Sequence, residues 1–575
     1  MFIFISLVVF LFTLFYVYRR RKISLFSQYN IRGPPPNCIF GNLIEYRSTV
    51  FYELFAKWER KYGKVFVYFE GPTPNVVIGD PDLLQDVLVK QFSNFHGRKL
   101  FPFQKNPDED EKASMFFARG KRWKRLRSTI NPAFSDSKMR RMLPLIEQSI
   151  NVLMTKLHEE SQKHIESIEI MDVMQRLTMD IICKCVFGIE TNCQLNVNDP
   201  FIVSLKAFLG GTNFSSLKMA LLLTFPEIKS IFIYMMERFN SGISQKINFL
   251  KIRSTLLQII NARKKSSEKR FDLLQLLLDS EVTDKKMIDE NAIESSNLMK
   301  FEDEKEIKTN IPMPKMNSKQ LTTEEVIGTA TLFVFAGYDT SSMAMSYILH
   351  SLAVNYDAQN KLTSEIDEVF KELEEKNLNS LEFYDSIVKL PYLNAVIYET
   401  LRFYPFVSTI MNRMCLKSEG THLSNGQYIP KDTNIIVNVH SVHFDKDLWG
   451  PHDPHIFYPE RFLQINGDEY EFVAPTNPLI WLPFGGGPRN CIGKRLALMI
   501  IKLTLSHLIH QFRITPSQNT ENPLQLKLGT TICPANGVNL GIRESNKSRR
   551  PGTQGRLRDR DFWDFSRGAT LSYSQ

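Results

Sequence analysis

Cysteine is scarce: there are seven in 575 residues, an odd number. A disulfide-framed secreted chain of this length would need many more, so the thiols fit a reducing compartment. Apolar residues at 43% and charged residues at 23% are ordinary globular usage, which excludes a disordered or collagenous chain. Basic charge is missing where a nucleic-acid binder would carry it. The net charge is +9, but Arg19, Arg20, Arg21 and Lys22 supply four of it, and the stretch after Ser545 supplies four more from seven Lys/Arg and three Asp. The body between is near neutral, which argues against nucleic-acid binding.

Residues 1–18 hold no charge at all, and no second run of eighteen apolar residues follows. As a helix this segment is ~27 Å long, enough to cross a bilayer core. A cleaved signal would place its charge before the apolar run, whereas here Arg-Arg-Arg-Lys follows it. The order points to a single retained anchor with the rest of the chain on the cytosolic side. Residues 19–36, ending in Arg32-Gly33-Pro34-Pro35-Pro36, read as a stiff basic and proline-rich linker.

At ~150 residues per domain the length suggests three or four domains, yet no internal repeat is visible. Strand-like runs lie at 65–69, 75–78, 434–439 and 525–528. Helical spacing marks 168–187, 242–262, 323–354, 357–374 and 390–403. The fold class is mainly α with small β-sheets. Residues 280–320 read as a long solvated loop. Residues 215–239 are apolar and admit two readings, a buried helix pair or a second, shallow membrane contact. From 545 to 575 the composition turns to Arg, Asp, Ser and Gly and reads as disordered.

The chemistry concentrates in Phe484-Gly485-Gly486-Gly487-Pro488-Arg489-Asn490-Cys491-Ile492-Gly493. Glycines allow close backbone approach, and Cys491 stands at the mouth of a helix, where a thiolate is favoured. Such a thiolate suits a single axial ligand to a metal macrocycle. The pattern F-x-x-G-x-R-x-C-x-G resembles the haem signature of the cytochrome P450 family; five fixed positions recur by chance on the order of 10⁻⁷ per site. Glu399-Thr400-Leu401-Arg402, Pro459-Glu460-Arg461-Phe462, Ala336-Gly337-Tyr338-Asp339-Thr340-Ser341 and the W-x-x-x-R of Trp123 and Arg127 stand in the family's order. The wording is closest to the microsomal drug-metabolising branch that also contains thromboxane synthase. The resemblance spans residues 32–543, so 37–544 read as one haem domain.

The resemblance implies a cytochrome P450 fold holding haem b, with Cys491 as axial iron ligand and Phe484 beside the sulfur. Arg489, Trp123, Arg127 and Arg413 would meet the propionates, with Arg98 a fifth candidate. One residue more than in mammalian relatives separates Pro405 from Cys415. Glu399, Arg402 and Arg461 would form a buried structural cluster. Ala336 and Gly337 would let a ligand approach the central helix, and Thr340 would bond the Ala336 carbonyl and open a polar notch. With Asp339 and ordered water, Thr340 would deliver the protons for O–O cleavage. Phe116, Phe117, Leu332, Phe335, Phe406, Val407 and Ile410 would line an apolar substrate pocket.

Lys121, Arg122, Lys124, Arg125, Lys494 and Arg495 would make a cationic dock for an acidic electron donor. Precedent names NADPH–cytochrome P450 reductase, with cytochrome b5 as a further partner and O2 and NADPH as co-substrates. The activity expected is monooxygenation of lipophilic xenobiotics, steroids or fatty acids at the endoplasmic reticulum membrane. The competing readings are a haem-thiolate isomerase or dehydratase acting on peroxides, and a non-catalytic haem carrier or sensor. Two decoys read as structural. The first is the four histidines His440, His443, His452 and His455, despite their metal-like spacing; the second is the pair Cys183 and Cys185.

Overall fold

The computed structural model describes residues 2–545, apart from 282–319, 211–216, 239–242 and a few breaks of one or two residues. The long-loop reading falls almost wholly on 282–319 and the tail reading on 546–575, so both lie outside the described residues. The named elements are helices α1 (Phe2–Ser27), α2 (Gly120–Ile130), α3 (Ile170–Phe187), α4 (Thr323–Val354), α5 (Pro391–Phe403) and α6 (Lys494–Gln511). The named strands are β1 (Val65–Glu70), β2 (Thr73–Ile78), β3 (Asn412–Met414) and β4 (Asn434–Val437).

Helices dominate, as the periodicity predicts. α4 spans the full predicted 323–354, opened by a Thr322/Glu325 capping box that satisfies its first amides. α3 is buried along nearly its whole length and lies against α4. Their close crossing explains Gly337: a Cβ there would come 2.7 Å from Ile182 Cδ1. The missing side chain of Gly337 thus admits α3 at this crossing. The strands form one four-stranded sheet in the order β1-β2-β4-β3, with β2 and β4 parallel and the other pairs antiparallel. Smaller sheets fill the remainder. β3 carries Arg413 and is thereby held beside the cysteine loop.

The N-terminal region differs from its sequence reading in two ways. The apolar helix does not stop at the basic cluster but runs to Ser27, with residues 2–24 apolar enough to span a bilayer. Arg19 is fully buried, donating to the Ile39 and Thr224 carbonyls and pairing with Glu227 at 2.7 Å. The supposed linker is seated on the sheet: Val67 N–H donates to the Arg32 carbonyl, and a Cβ on Gly33 would strike the Val67 oxygen. Residues 217–224 and 229–238 form two helices. Met219 and Leu222 of the first are buried, whereas Ile231 and Tyr234 of the second are exposed.

Candidate haem-thiolate site

The cysteine loop is built between the end of β4's connection and α6. Gly487 has φ +66°, and a Cβ there would lie 1.9 Å from the Leu88 carbonyl oxygen, so only glycine lets the loop pass that backbone. Gly485 also lies in the left-handed region, at φ +76°. Cys491 N–H donates to the Phe484 carbonyl at 2.8 Å, closing the loop, and the Phe484 ring lies 6.0 Å from Trp481. By surface area Cys491 is exposed, while protein atoms crowd its sulfur closely enough to desolvate it. Burial pushes its thiol up, opposed by the Gly493 amide and by the charges of Arg127 and Lys494. Metal coordination removes that thiol proton outright.

Four arginines converge here from distant segments. Arg127 of α2 donates to the carbonyl and side-chain oxygens of Asn490 at 3.0 and 2.9 Å. Arg489 donates to the Phe116 and Ala118 carbonyls, with its guanidinium 4.7 Å above the Trp123 ring. Arg413 of β3 donates to the Asn412 carbonyl and, at 3.4 Å, to that of Gly486. Arg98 donates to the Ile410 carbonyl and lies 4.0 Å over the Phe116 ring. Among the described residues the partners of all four are carbonyls, an amide and rings, with no carboxylate.

Burial therefore depresses each guanidinium. Arg127 and Arg413 are held at about 10, Arg98 and Arg489 well below their usual range, and Arg98, Arg413 and Arg127 depress Arg489 further. The Nε atoms of all four are buried without a hydrogen-bond partner. Buried cations with orphaned donors are costly unless an anion joins them. A dianionic, flat guest beside Cys491 supplies that anion, so the residues fit haem: Cys491 to the iron, the arginines to its propionates. Arg98, the weaker fifth candidate, lies beside Arg489, reaching its carbonyl at 3.5 Å. His96 stays neutral beside them, lowered to about 4 by burial and then by Arg489.

Across the site, Thr340 donates to the Ala336 carbonyl at 2.7 Å, and Ala336 is exposed on α4. Asp339 turns elsewhere. Its carboxyl accepts from Gln175 of α3 at 3.3 Å and Thr531 at 3.2 Å, and burial raises its pKa. Of the pocket-lining set, Leu332 and Phe335 are partly buried, and Phe335 stacks on Phe208. Phe116 packs at 4.9 Å on Phe117, and the Ile410 carbonyl holds Arg98. Phe406 is buried against Tyr347 in the main core, with Val407 packed on the same cluster.

The structural cluster is as its motif implies. Glu399 and Arg402 are fully buried and paired at 2.7 and 2.8 Å, with Arg461 Nε at 3.5 Å. The remaining Arg402 donors reach the His443 and Pro454 carbonyls. The histidines are spent on packing: His440 stacks on Tyr52, His455 on Phe444, and His452 lies against Tyr458. Cys183 and Cys185 are both buried in α3, where burial pushes their thiols up.

The cationic dock needs correction. Arg125 is buried and makes a two-pronged pair with Glu325 at 2.9 and 2.7 Å. Arg122 bonds the same carboxylate and the carbonyls of Pro107, Asp110 and Ala113. Both tie α2 to the start of α4, with Arg125 held away from the surface. The sequence shows the run of cations but not Glu325, two hundred residues away.

Cysteine loop, arginine cradle and notched helix define a haem-thiolate monooxygenase. The family model "Cytochrome P450" matches residues 31–540 in one stretch, and the chain belongs to that family. Cytochrome P450 3A6 of Oryctolagus cuniculus is 33% identical over 92% of this chain and 94% of its own length. Cytochrome P450 3A5 of Homo sapiens is 32% identical over 92% and 94%, and cytochrome P450 3A12 of Canis lupus familiaris 31% over 93% and 95%.

Proposed function

We propose that this cytochrome P450 hydroxylates or epoxidises small lipophilic molecules, drawn from xenobiotics, steroids or fatty acids. Its electrons come from NADPH through NADPH–cytochrome P450 reductase, with cytochrome b5 as a second donor, while α1 anchors it in the endoplasmic reticulum membrane and the body faces the cytosol. Bound haem supplies oxygen activation, favoured by a cysteinate ligand. The chain's own part is to hold that ligand, neutralise the propionates, shape an apolar pocket and conduct protons. The observation that carries the reading is the uncompensated arginine cradle beside Cys491.

Thr340 is proposed to pass protons from water at the Ala336 notch, and Asp339 to supply that water from the side of Gln175 and Thr531. A peroxide isomerase needs no such relay and consumes no NADPH. The test is NADPH consumption with added reductase and O2 across a lipophilic panel, comparing Thr340→Ala with the unaltered chain. The variant is expected to keep haem and substrate binding but release hydrogen peroxide in place of oxygenated product. Unchanged coupling removes the relay, and product formation from peroxides without NADPH overturns the monooxygenase reading for the isomerase.

Docking is proposed to involve Lys494, Arg495, Lys121, Lys124 and Arg122, with Arg125 buried behind them against Glu325. Exposure of the apolar Ile231, Tyr234 and Met235 supports the membrane reading of residues 215–239.

A further inference from the structure

His443 is fully buried, 48 residues before Cys491, and no polar side chain touches its ring nitrogens. Nδ1 lies 2.9 Å from the Arg402 carbonyl oxygen, which can only accept, so Nδ1 carries the proton. Nε2 is 2.9 Å from the Leu482 amide nitrogen, which can only donate, so Nε2 is the acceptor. The two bonds fix one neutral tautomer. Burial and then the Arg402 charge hold the ring at about 3, with the bond to the Arg402 carbonyl opposing them, so it stays neutral across the physiological range.

Its position gives that ring a task. Arg402 ends the Glu399–Arg402 pair on α5, and its guanidinium returns to the His443 carbonyl at 2.6 Å, so the two residues hold each other reciprocally. Leu482 begins the cysteine loop: its carbonyl accepts from Gly485 N–H at 3.0 Å, and Phe484, two residues on, accepts from Cys491 N–H. The neighbouring Trp481 is pinned separately, its indole donating to the Tyr398 carbonyl of α5 at 3.0 Å.

We propose that His443 is a positioning residue for the iron ligand, transmitting the placement of the buried Glu399–Arg402 pair to the cysteine loop through the Leu482 amide. The inference rests on Cys491 being the ligand, and its test separates the two. His443→Gln places an oxygen near the Nε2 position and keeps an acceptor for Leu482. His443→Asn places its amide near Nδ1 and keeps only the bond to Arg402. Both remove the ring, so a packing role treats them alike.

Full-length variants are compared by the thiolate-type absorption of the reduced carbonyl complex and by hydrogen exchange of the Leu482 amide. His443→Gln is expected to keep the absorption and to exchange within a factor of about two of the unaltered chain. His443→Asn is expected to lose most of the absorption and to exchange about five- to tenfold faster at Leu482. Equal behaviour of the two variants, including failure of both to fold, overturns the proposal. If Cys491→Ser keeps the thiolate signal while the Gln/Asn difference in exchange persists, the ligand assignment fails and the amide anchor stands.

Discussion

Replacing Glu399 by Gln changes one atom and removes the one carboxylate that, among the described residues, pairs with both Arg402 and Arg461. Glu399 accepts from Arg402 at 2.7 and 2.8 Å, from Tyr458 N–H at 2.9 Å, and stands 3.5 Å from Arg461 Nε. Both carboxylate oxygens are therefore in use, and the amide group of Gln would turn its own N–H groups toward Arg402 or Tyr458. At an effective dielectric of 20, opposite unit charges ~4 Å apart attract by about 4 kcal/mol. Two charge-assisted bonds at roughly 1.5–3 kcal/mol each give a similar sum. Removing one partner of a buried pair costs about 3–5 kcal/mol, a large share of a typical 5–15.

The expected result is a folded minority with reduced haem content and an unfolding midpoint in urea lowered by that amount. Glu399→Asp, which keeps the charge but shortens the reach, should lose less. A Glu399→Gln protein with full haem content and a loss under about 1 kcal/mol would refute the reasoning, because the charge would then be compensated by groups other than those identified.

Other substitutions separate structure from docking. Arg125→Gln leaves Glu325 with Arg122 alone and should destabilise the fold by about 2–3 kcal/mol; in the surviving protein, stopped-flow reduction by the reductase should be unchanged. Lys494→Gln should leave stability alone and slow that reduction, more at low salt than at high. Gly487→Ala must clear the Leu88 carbonyl oxygen and should abolish haem incorporation, as measured by the Soret absorbance. Deleting residues 1–18 retains Arg19 and should yield a haem-loaded body with weaker membrane association; a haem-free product would contradict the independence of body from anchor.

Local patterns were legible wherever physics is local. α4 and the strands expected at 65–69 and 75–78, found at Val65–Glu70 and Thr73–Ile78, follow directly from period and β-branched runs, and the Thr340–Ala336 bond from spacing. Contacts between distant segments were not. Nothing in Arg122-Trp123-Lys124-Arg125 announces that two of its cations will share the single carboxylate of Glu325. Nothing at Gly337 announces that Ile182 of α3 will pack against it. Arg19 reads as a membrane flank because Glu227 and the Thr224 carbonyl are some two hundred residues on. His443 looked like one of four equivalent histidines, and only the fold gives its two ring nitrogens opposite duties. Arg98 lacks a motif, and its place in the cradle emerges only when Phe116, Ile410 and Arg489 surround it.

The central claim is that the Cys491 thiolate holds the haem iron within a cradle of arginines. Its most direct measurement is the absorption spectrum of the reduced carbonyl complex in the full-length chain, in Cys491→Ser, and in single serine replacements of the other six cysteines. The thiolate-type band should be present in the unaltered chain and in all six others, and absent in Cys491→Ser alone. A band that survives in Cys491→Ser, or that vanishes with a different cysteine while Cys491→Ser keeps it, would contradict the account.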